Sequence, residues 1–395
     1  MNRRKFMELL AAASAAGTLP FRKAYAGLNL PEPGPEAKVF LAGLEKGSAD
    51  ETLAKAVQAA AETATDFSWL SKGDAVLIKP ALNSGNPYPA TTNPAGIRTM
   101  VELLKNKGAG RVVVTDMSGF EHVKLSLDEL KGSSRELMIK SGMAQAAESA
   151  GAELYFPEED GWDAFFEERP ASGSNWKAGI MMPKILKDMD HVILMPRCGR
   201  HILAGSTLGM KAAVGYWRPD SRLEYHRDAS TFQEKTAESN TVPSLRERQR
   251  LVLTSATKIL TTFGPDKGYV SEPEIGLIIA SESIVAHDMV SLAWLLENRR
   301  LTPDFEKMGF KDPYRKQLVV SNTNRMVVRW LGGREQSRKA EKLIRNDLNT
   351  IWDDRVLNRA YQLWGGVPKV TLVNVNGRVS DDIMKKLTAM TTRPA

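Results

Sequence analysis

Short apolar runs alternate with longer amphipathic stretches along this chain. Lys38-Val39-Phe40-Leu41-Ala42-Gly43, Asp74-Ala75-Val76-Leu77-Ile78-Lys79-Pro80, Arg111-Val112-Val113-Val114-Thr115-Asp116 and Val192-Ile193-Leu194-Met195 are nearly continuous in hydrophobic residues. That is the pattern of strands buried on both faces, as in a parallel sheet. Between them the 3.6-residue period predicts helices over residues 49–67, from the Asn93-Pro94 cap to Gly108, and over 135–150, stopped by Gly151. Further along, residues 183–189 read as a short helix, 245–259 as a helix, 275–280 as a buried strand and 284–298 as a helix. Residues 156–176 read as a surface excursion and 217–240 as polar and irregular, and the tail mixes charged helices with one strand at 370–375.

Strands and helices alternating at this spacing predict an α/β fold: a mostly parallel sheet with helices on both faces, in two lobes, followed by a helical C-terminal extension. The expected blocks are a linker at 27–37, a first lobe at 38–190, a second at 191–300 and the extension at 301–395. If the strands are parallel, the groups at their carboxyl ends meet at one sheet edge, where open α/β sheets bind ligands. Those groups are Lys79 and Asn83, Asp116, the loop from Arg197 to Lys211, and Asp288 beside His287. The loop holds Arg197, Cys198, Arg200, His201, Ser206, Thr207 and Lys211 among three glycines. So many cationic and titratable side chains on a flexible backbone point to a small anionic ligand or a metal.

The first 26 residues change the picture of charge. Asn2-Arg3-Arg4-Lys5-Phe6-Met7, an alanine-rich run to Leu19 and Ala24-Tyr25-Ala26 follow the order of a twin-arginine signal peptide with its cleavage site. Its apolar run is shorter than the roughly 20 residues a membrane span needs. The formal charge of +7 falls to +3 once its five basic and one acidic side chains are removed, which gives no argument for nucleic acid. The single cysteine excludes an intrachain disulfide and a cysteine-ligated iron–sulfur cluster. The expectation is an exported, periplasmic or otherwise extracytoplasmic protein, delivered by the twin-arginine translocation machinery and without a stable membrane span.

Ile78-Lys79-Pro80, Thr91-Thr92-Asn93-Pro94, Thr115-Asp116, Pro196 to His201, Thr207 to Lys211, Gly264-Pro265 and Gly276 to Asp288 occur in an order that resembles the domain of unknown function 362 family. The likeness covers roughly residues 38–300. Arg197 and Arg200 stand where that family has a lysine pair, and Ala212 where it has asparagine. The ferredoxin-like cysteines of many members are absent from this sequence. The family name supplies no activity.

A more distant likeness is chemically sharper. His201-x-x-Ala204-Gly205-x-x-x-Gly209-x-Lys211 followed by His226 is similar to the core of nickel-pincer lactate racemases. That resemblance implies Lys211 as the attachment point of a nickel-bearing nucleotide, His226 as a metal ligand and His201 as an acid/base. Asp116 would join His201 and Lys211 in catalysis. Lys79, Asn83, Arg197 and Thr207 would help Lys211 hold the cofactor, and Asp288 would assist His226 at the metal. The function expected is an isomerase- or oxidoreductase-like enzyme acting on a small anion with a metal-containing or nucleotide-type cofactor. The competing class is a non-catalytic metal- or anion-binding envelope protein.

Overall fold

The computed structural model describes residues 31–394, so the export signal read at residues 1–26 lies outside the described residues. Eight strands form the main sheet: β1 (Pro33–Glu45), β2 (Ala75–Pro80), β3 (Arg111–Thr115), β4 (Glu153–Tyr155), β5 (His191–Met195), β6 (Gln249–Ala256), β7 (Ile275–Ser281) and β8 (Val367–Asn374). Their order is β8-β1-β7-β6-β5-β2-β3-β4. Neighbours run parallel except at β7, which is antiparallel to both β1 and β6. Strands from both sides of residue 190 hydrogen-bond within this one sheet, β2 with β5.

The α-helices of seven residues or more are α1 (Asp50–Ala64), α2 (Pro94–Asn106), α3 (Ser134–Lys140), α4 (Met143–Ser149), α5 (Pro219–Arg227), α6 (Phe232–Glu238), α7 (Ile284–Leu301), α8 (Gln317–Lys339), α9 (Arg355–Leu363) and α10 (Asp381–Thr391). They cover both faces because side chains alternate across a strand. Val76 and Ile78, Val112 and Val114, and Ile193 and Met195 pack with α1 to α4. Leu77, Val113, Val192 and Leu194 point the other way, into a core shared with α7 and with Tyr225 and Phe232. Each such aliphatic side chain taken from water stabilises by roughly 1.5–3 kcal/mol. Among the described residues no helix is long and apolar enough to cross a membrane.

Several local expectations are corrected. Residues 245–259 hold strand β6, not a helix: the charged positions that suggested a helix lie before or at its start, and Leu251 to Ala256 is a wholly buried run wedged between β5 and β7. Residues 217–240 are helical, α5 and α6, and hold Ser221, Arg222, Glu224, His226 and Asp228 buried. A polar segment buried through specific bonds has no apolar stripe to betray its period. The helix expected over 135–150 breaks into α3 and α4 at Gly142, whose φ is 82°. The excursion at 156–176 is tied down by Phe156, Phe165 and Trp176, all buried. Asn93 caps α2 as read, its side chain accepting from the Ala95 and Gly96 amides, with Pro94 at the first turn.

The sheet has a switch point between β2 and β5. From β2 the chain steps outward to β3 and β4, whereas from β5 it steps the opposite way to β6. The two connections leave a crevice beyond the carboxyl ends of β2 and β5, the place where doubly wound sheets hold ligands.

Candidate active site

A cavity of about 180 Å³ occupies that crevice, lined among others by Lys79, Asn83, Asp116, His201, Thr207, Lys211 and His226. Its floor is built from strand ends. Lys79, one residue before the end of β2, and Asp116, just after β3, form a buried ion pair at 2.9 Å. The Lys79 amine also donates to the Pro80 carbonyl at 2.9 Å, and Asp116 accepts the Leu82 amide at 2.7 Å. Burial works against both charges, lowering the lysine's pKa and raising the aspartate's. Gly215 makes the pair possible: a Cβ there would lie 1.9 Å from Asp116 Oδ1 and 2.6 Å from Lys79 Nζ.

Lys211 sits on a 3₁₀ turn, Met210–Tyr216. The start of that turn is held by Asp288, whose carboxylate accepts the Gly209 and Met210 amides, both at 2.8 Å. Among the described residues no hydrogen bond or ion pair engages the Lys211 amine. Burial, followed by the charges of Arg197, Arg222 and Lys79, pushes its pKa down to about 7, with Asp116 opposing. A good fraction of the amine is therefore neutral and nucleophilic at neutral pH. Arg222 is buried without a carboxylate against it. It donates instead to the carbonyls of Trp217, Ser118 and Met117 at 2.9, 2.6 and 2.8 Å, so its charge is left to the cavity it lines.

The two histidines are held in opposite tautomers. His201 lies on a hairpin in which Gly199–His201 pairs with Gly205–Thr207, placing His201 and Thr207 on one face. Its Nδ1 accepts the Leu203 and Ala204 amides at 3.1 and 3.3 Å, so the ring proton resides on Nε2. His226, on α5, faces Asn324 of α8. Asn324 Oδ1 lies 2.8 Å from His226 Nδ1, and Asn324 Nδ2 donates to the His226 carbonyl at 2.7 Å, which fixes the amide's orientation. His226 Nδ1 is therefore the donor, leaving Nε2 with a free lone pair. Burial keeps both rings uncharged, helped by Lys211 for His201 and, against the Asn324 bond, by Lys211 and Arg222 for His226. The pKa of His201 falls well below the usual range and that of His226 to about 3.

Other expected site residues fall outside this arrangement or behind it. Asp288 does not line the cavity with Lys79, Asp116, His201 and Lys211: its oxygens are taken by the two amides and by His287 Nδ1 at 2.9 Å. It anchors the Lys211 turn and is not placed as a ligand beside His226. Asp228, two residues after His226, pairs with Lys177 and Arg227, each at 2.8 Å. Arg197 is buried behind the cavity, with Nη1 donating to the Pro89 and Pro265 carbonyls, and acts there through its charge. Arg200 points to the opposite face of the hairpin, toward Asp312 and the Tyr314 ring. Asn83 lines the cavity while its amide donates to the Ala90 carbonyl at 2.8 Å.

Three lining residues, Arg222, Phe120 and Trp330, and one ring-orienter behind the cavity, Asn324, went unread in the sequence. Arg222 lies in the segment read as irregular, and Asn324 is 98 positions from His226, so no local pattern could join them. Glu121, His122 and Asp266 bring one ligand atom each within 4.8 Å of one another, and two of them, Glu121 and Asp266, line the cavity.

A family model described as domain of unknown function (DUF362) matches residues 76–293, more than half of the chain. No curated protein matches. Among solved structures the chain is similar to a structural-genomics protein from Thermotoga maritima, at 12% identity and TM-score 0.36 over 67% of this chain and 60% of that one. It is also similar to the lactate racemase apoprotein from Thermoanaerobacterium thermosaccharolyticum, at 15% identity and TM-score 0.34 over 67% of this chain and 56% of that one.

Proposed function

Because the chain belongs to the domain of unknown function 362 family, whose name assigns no activity, we propose a function from the cavity itself: an exported enzyme that acts on a small anion, of isomerase or oxidoreductase type. The observation that carries the proposal is one cavity holding an unpaired lysine amine, a histidine presenting Nε2–H and a histidine presenting a bare Nε2. The charges that bear on the Lys211 amine are those of Arg197, Arg222 and Lys79 against Asp116, and this local excess at the floor favours a carboxylate or phosphate there, while Glu121 and Asp266 line the cavity elsewhere. His201 Nε2–H donates to a substrate oxygen and polarises the carbon that bears it. His226, unprotonated through neutral pH, offers its lone pair without competition from a proton.

The donor set discriminates between kinds of cofactor. With His201 Nδ1 committed to backbone amides, His226 is the one imidazole of this pair with a free lone pair, too few ligands for a metal held by these residues alone. It suits a metal carried on an organic, nucleotide-type group, with Lys211 as the covalent anchor and His226 as an added ligand. Such a group would supply the hydride- or electron-accepting capacity that none of these side chains has. The sequence likeness at His201, Lys211 and His226 supports the same assignment. Asn324 then does what an outer partner of a ligating histidine does, fixing tautomer and ring direction.

The test is intact mass and metal content of the protein purified after export from cells with its own maturation background. The proposal expects added mass on the peptide holding Lys211 and stoichiometric metal. Lys211→Met should lose both, and His226→Ala the metal but not the adduct. Unmodified, metal-free wild type that binds small anions and converts none would overturn the cofactor assignment and favour an anion-binding envelope protein. For export itself, Arg3→Lys with Arg4→Lys should retain precursor in the cytoplasm, and unimpaired export of that double variant would count against the twin-arginine route.

A further inference from the structure

The cavity is cationic at its floor and apolar on one side toward its mouth. The apolar side comes from two separate places. Phe120 lies in the loop after β3, while Met326, Val327 and Trp330 lie on α8, beyond the residues 76–293 that the family model matches. Trp330 is 49% exposed although it packs against Phe120, ring centroids 5.7 Å apart. It stands in the last turn before Gly333, where a φ of 79° breaks α8 and ends the wall. Phe120 in turn meets the His226 ring edge-on at 6.4 Å. The cavity lining thus includes the floor cations and the ring series His226, Phe120 and the half-exposed indole of Trp330. Large apolar side chains left open beside a cavity with convergent polar groups are the ordinary composition of a ligand site.

We propose that the ligand is amphiphilic: an anionic head held over Lys79, Arg222 and, in the chain that carries no adduct, Lys211, with a planar, apolar group packed along Phe120, Met326 and Trp330. This rests on the anion-binding reading above and extends it. The head meets the floor cations, and the tail covers aromatic surface that α8 brings to the mouth. A purely polar small anion would use the floor and leave the indole wet. The C-terminal extension then sets which anion is accepted, while the family-matched segment supplies the reactive groups.

The experiment is a ¹⁹F NMR titration of the full mature chain, made without the maturation background so that Lys211 carries no adduct, with three probes: fluoroacetate (head alone), 4-fluorobenzyl alcohol (ring alone) and 4-fluorophenylacetate (both). The aromatic acid should bind at least about tenfold more tightly than either half. Trp330→Ala should weaken the aromatic acid roughly five- to tenfold, the worth of one lost aromatic contact, and leave fluoroacetate unchanged. Trp330→Phe should restore most of the difference. Lys211→Met should weaken both acids. Equal binding of the two acids, or a Trp330→Ala variant that keeps the wild-type preference, overturns the apolar subsite while the anion site stands. Binding of the acids that is indifferent to Lys211→Met, or no binding of either, overturns the anion site as well.

Discussion

His201 and His226 show how much one hydrogen bond decides at the scale of a residue. Identical side chains in one cavity become a donor and an acceptor because two backbone amides meet one ring and an asparagine oxygen meets the other. ¹⁵N-detected NMR should find the His201 proton on Nε2 and the His226 proton on Nδ1, and the reverse assignment at either ring would remove its proposed role. Both rings are neutral when folded and free to protonate when unfolded. Between the unfolded value near 6.5 and the folded values, about 3 for His226, the unfolded state holds more protons. Stability contributed by these groups is therefore intact above about pH 6.5 and lost as pH falls, by up to about 1.4 kcal/mol per pH unit for each ring. Denaturant unfolding at pH 6 and pH 4.5 should show this loss, reduced by about half in His226→Asn. The residues His201, Lys211 and His226, which line one cavity, were legible in the sequence by type and order. Their protonation was not, because it is set by partners such as Asn324 that are remote in the chain.

Among the elements, the strand ends and the turn that carries Lys211 were foreseeable to different degrees. β2, β3 and β5 were readable because fully buried parallel strands leave unbroken apolar runs, and so Lys79 and Asp116 could be placed at one edge. Strand β6 was misread because its leading charges mimic a helical period, and α5 because its buried polar residues have no apolar stripe. The Met210–Tyr216 turn passes so close to the Lys79–Asp116 pair that only glycine fits at 215. Gly215→Ala is expected to split that pair and to lower unfolding stability by about 3–5 kcal/mol, the cost of a buried charge left without its partner. An unfolding midpoint close to wild type would mean that the turn moves aside and the pair survives. Asp288 belongs to this same level: it was read as a ligand from its position at a strand end, and its oxygens instead hold the turn in place.

Across the whole molecule, the parallel order of the strands could be inferred from the alternation of runs and helices, but the antiparallel insertion of β7 and the pairing of β1 with β8 could not. The pairings of β1 with β7 and β8 join residues more than 200 positions apart, as Phe40 with Ala280 and Lys38 with Thr371. The extension at 301–395 likewise returns to the sheet edge through β8 and to the cavity through α8, so the site is completed by residues that the family match does not include. By the function proposed here, the fold keeps the Lys211 amine partly neutral and unpaired inside an anion-binding crevice. The most direct measurement, on protein made without the maturation background so that Lys211 carries no adduct, is the pH dependence of carbamoylation by cyanate, a small amine reagent, followed by peptide mass for Lys211 and for surface lysines in the same sample. The account predicts that Lys211 is half-maximally reactive near pH 7, against an ordinary lysine value of 10.5, while the surface lysines are still gaining reactivity above pH 9. A Lys211 profile that tracks the surface lysines toward pH 10 would contradict it.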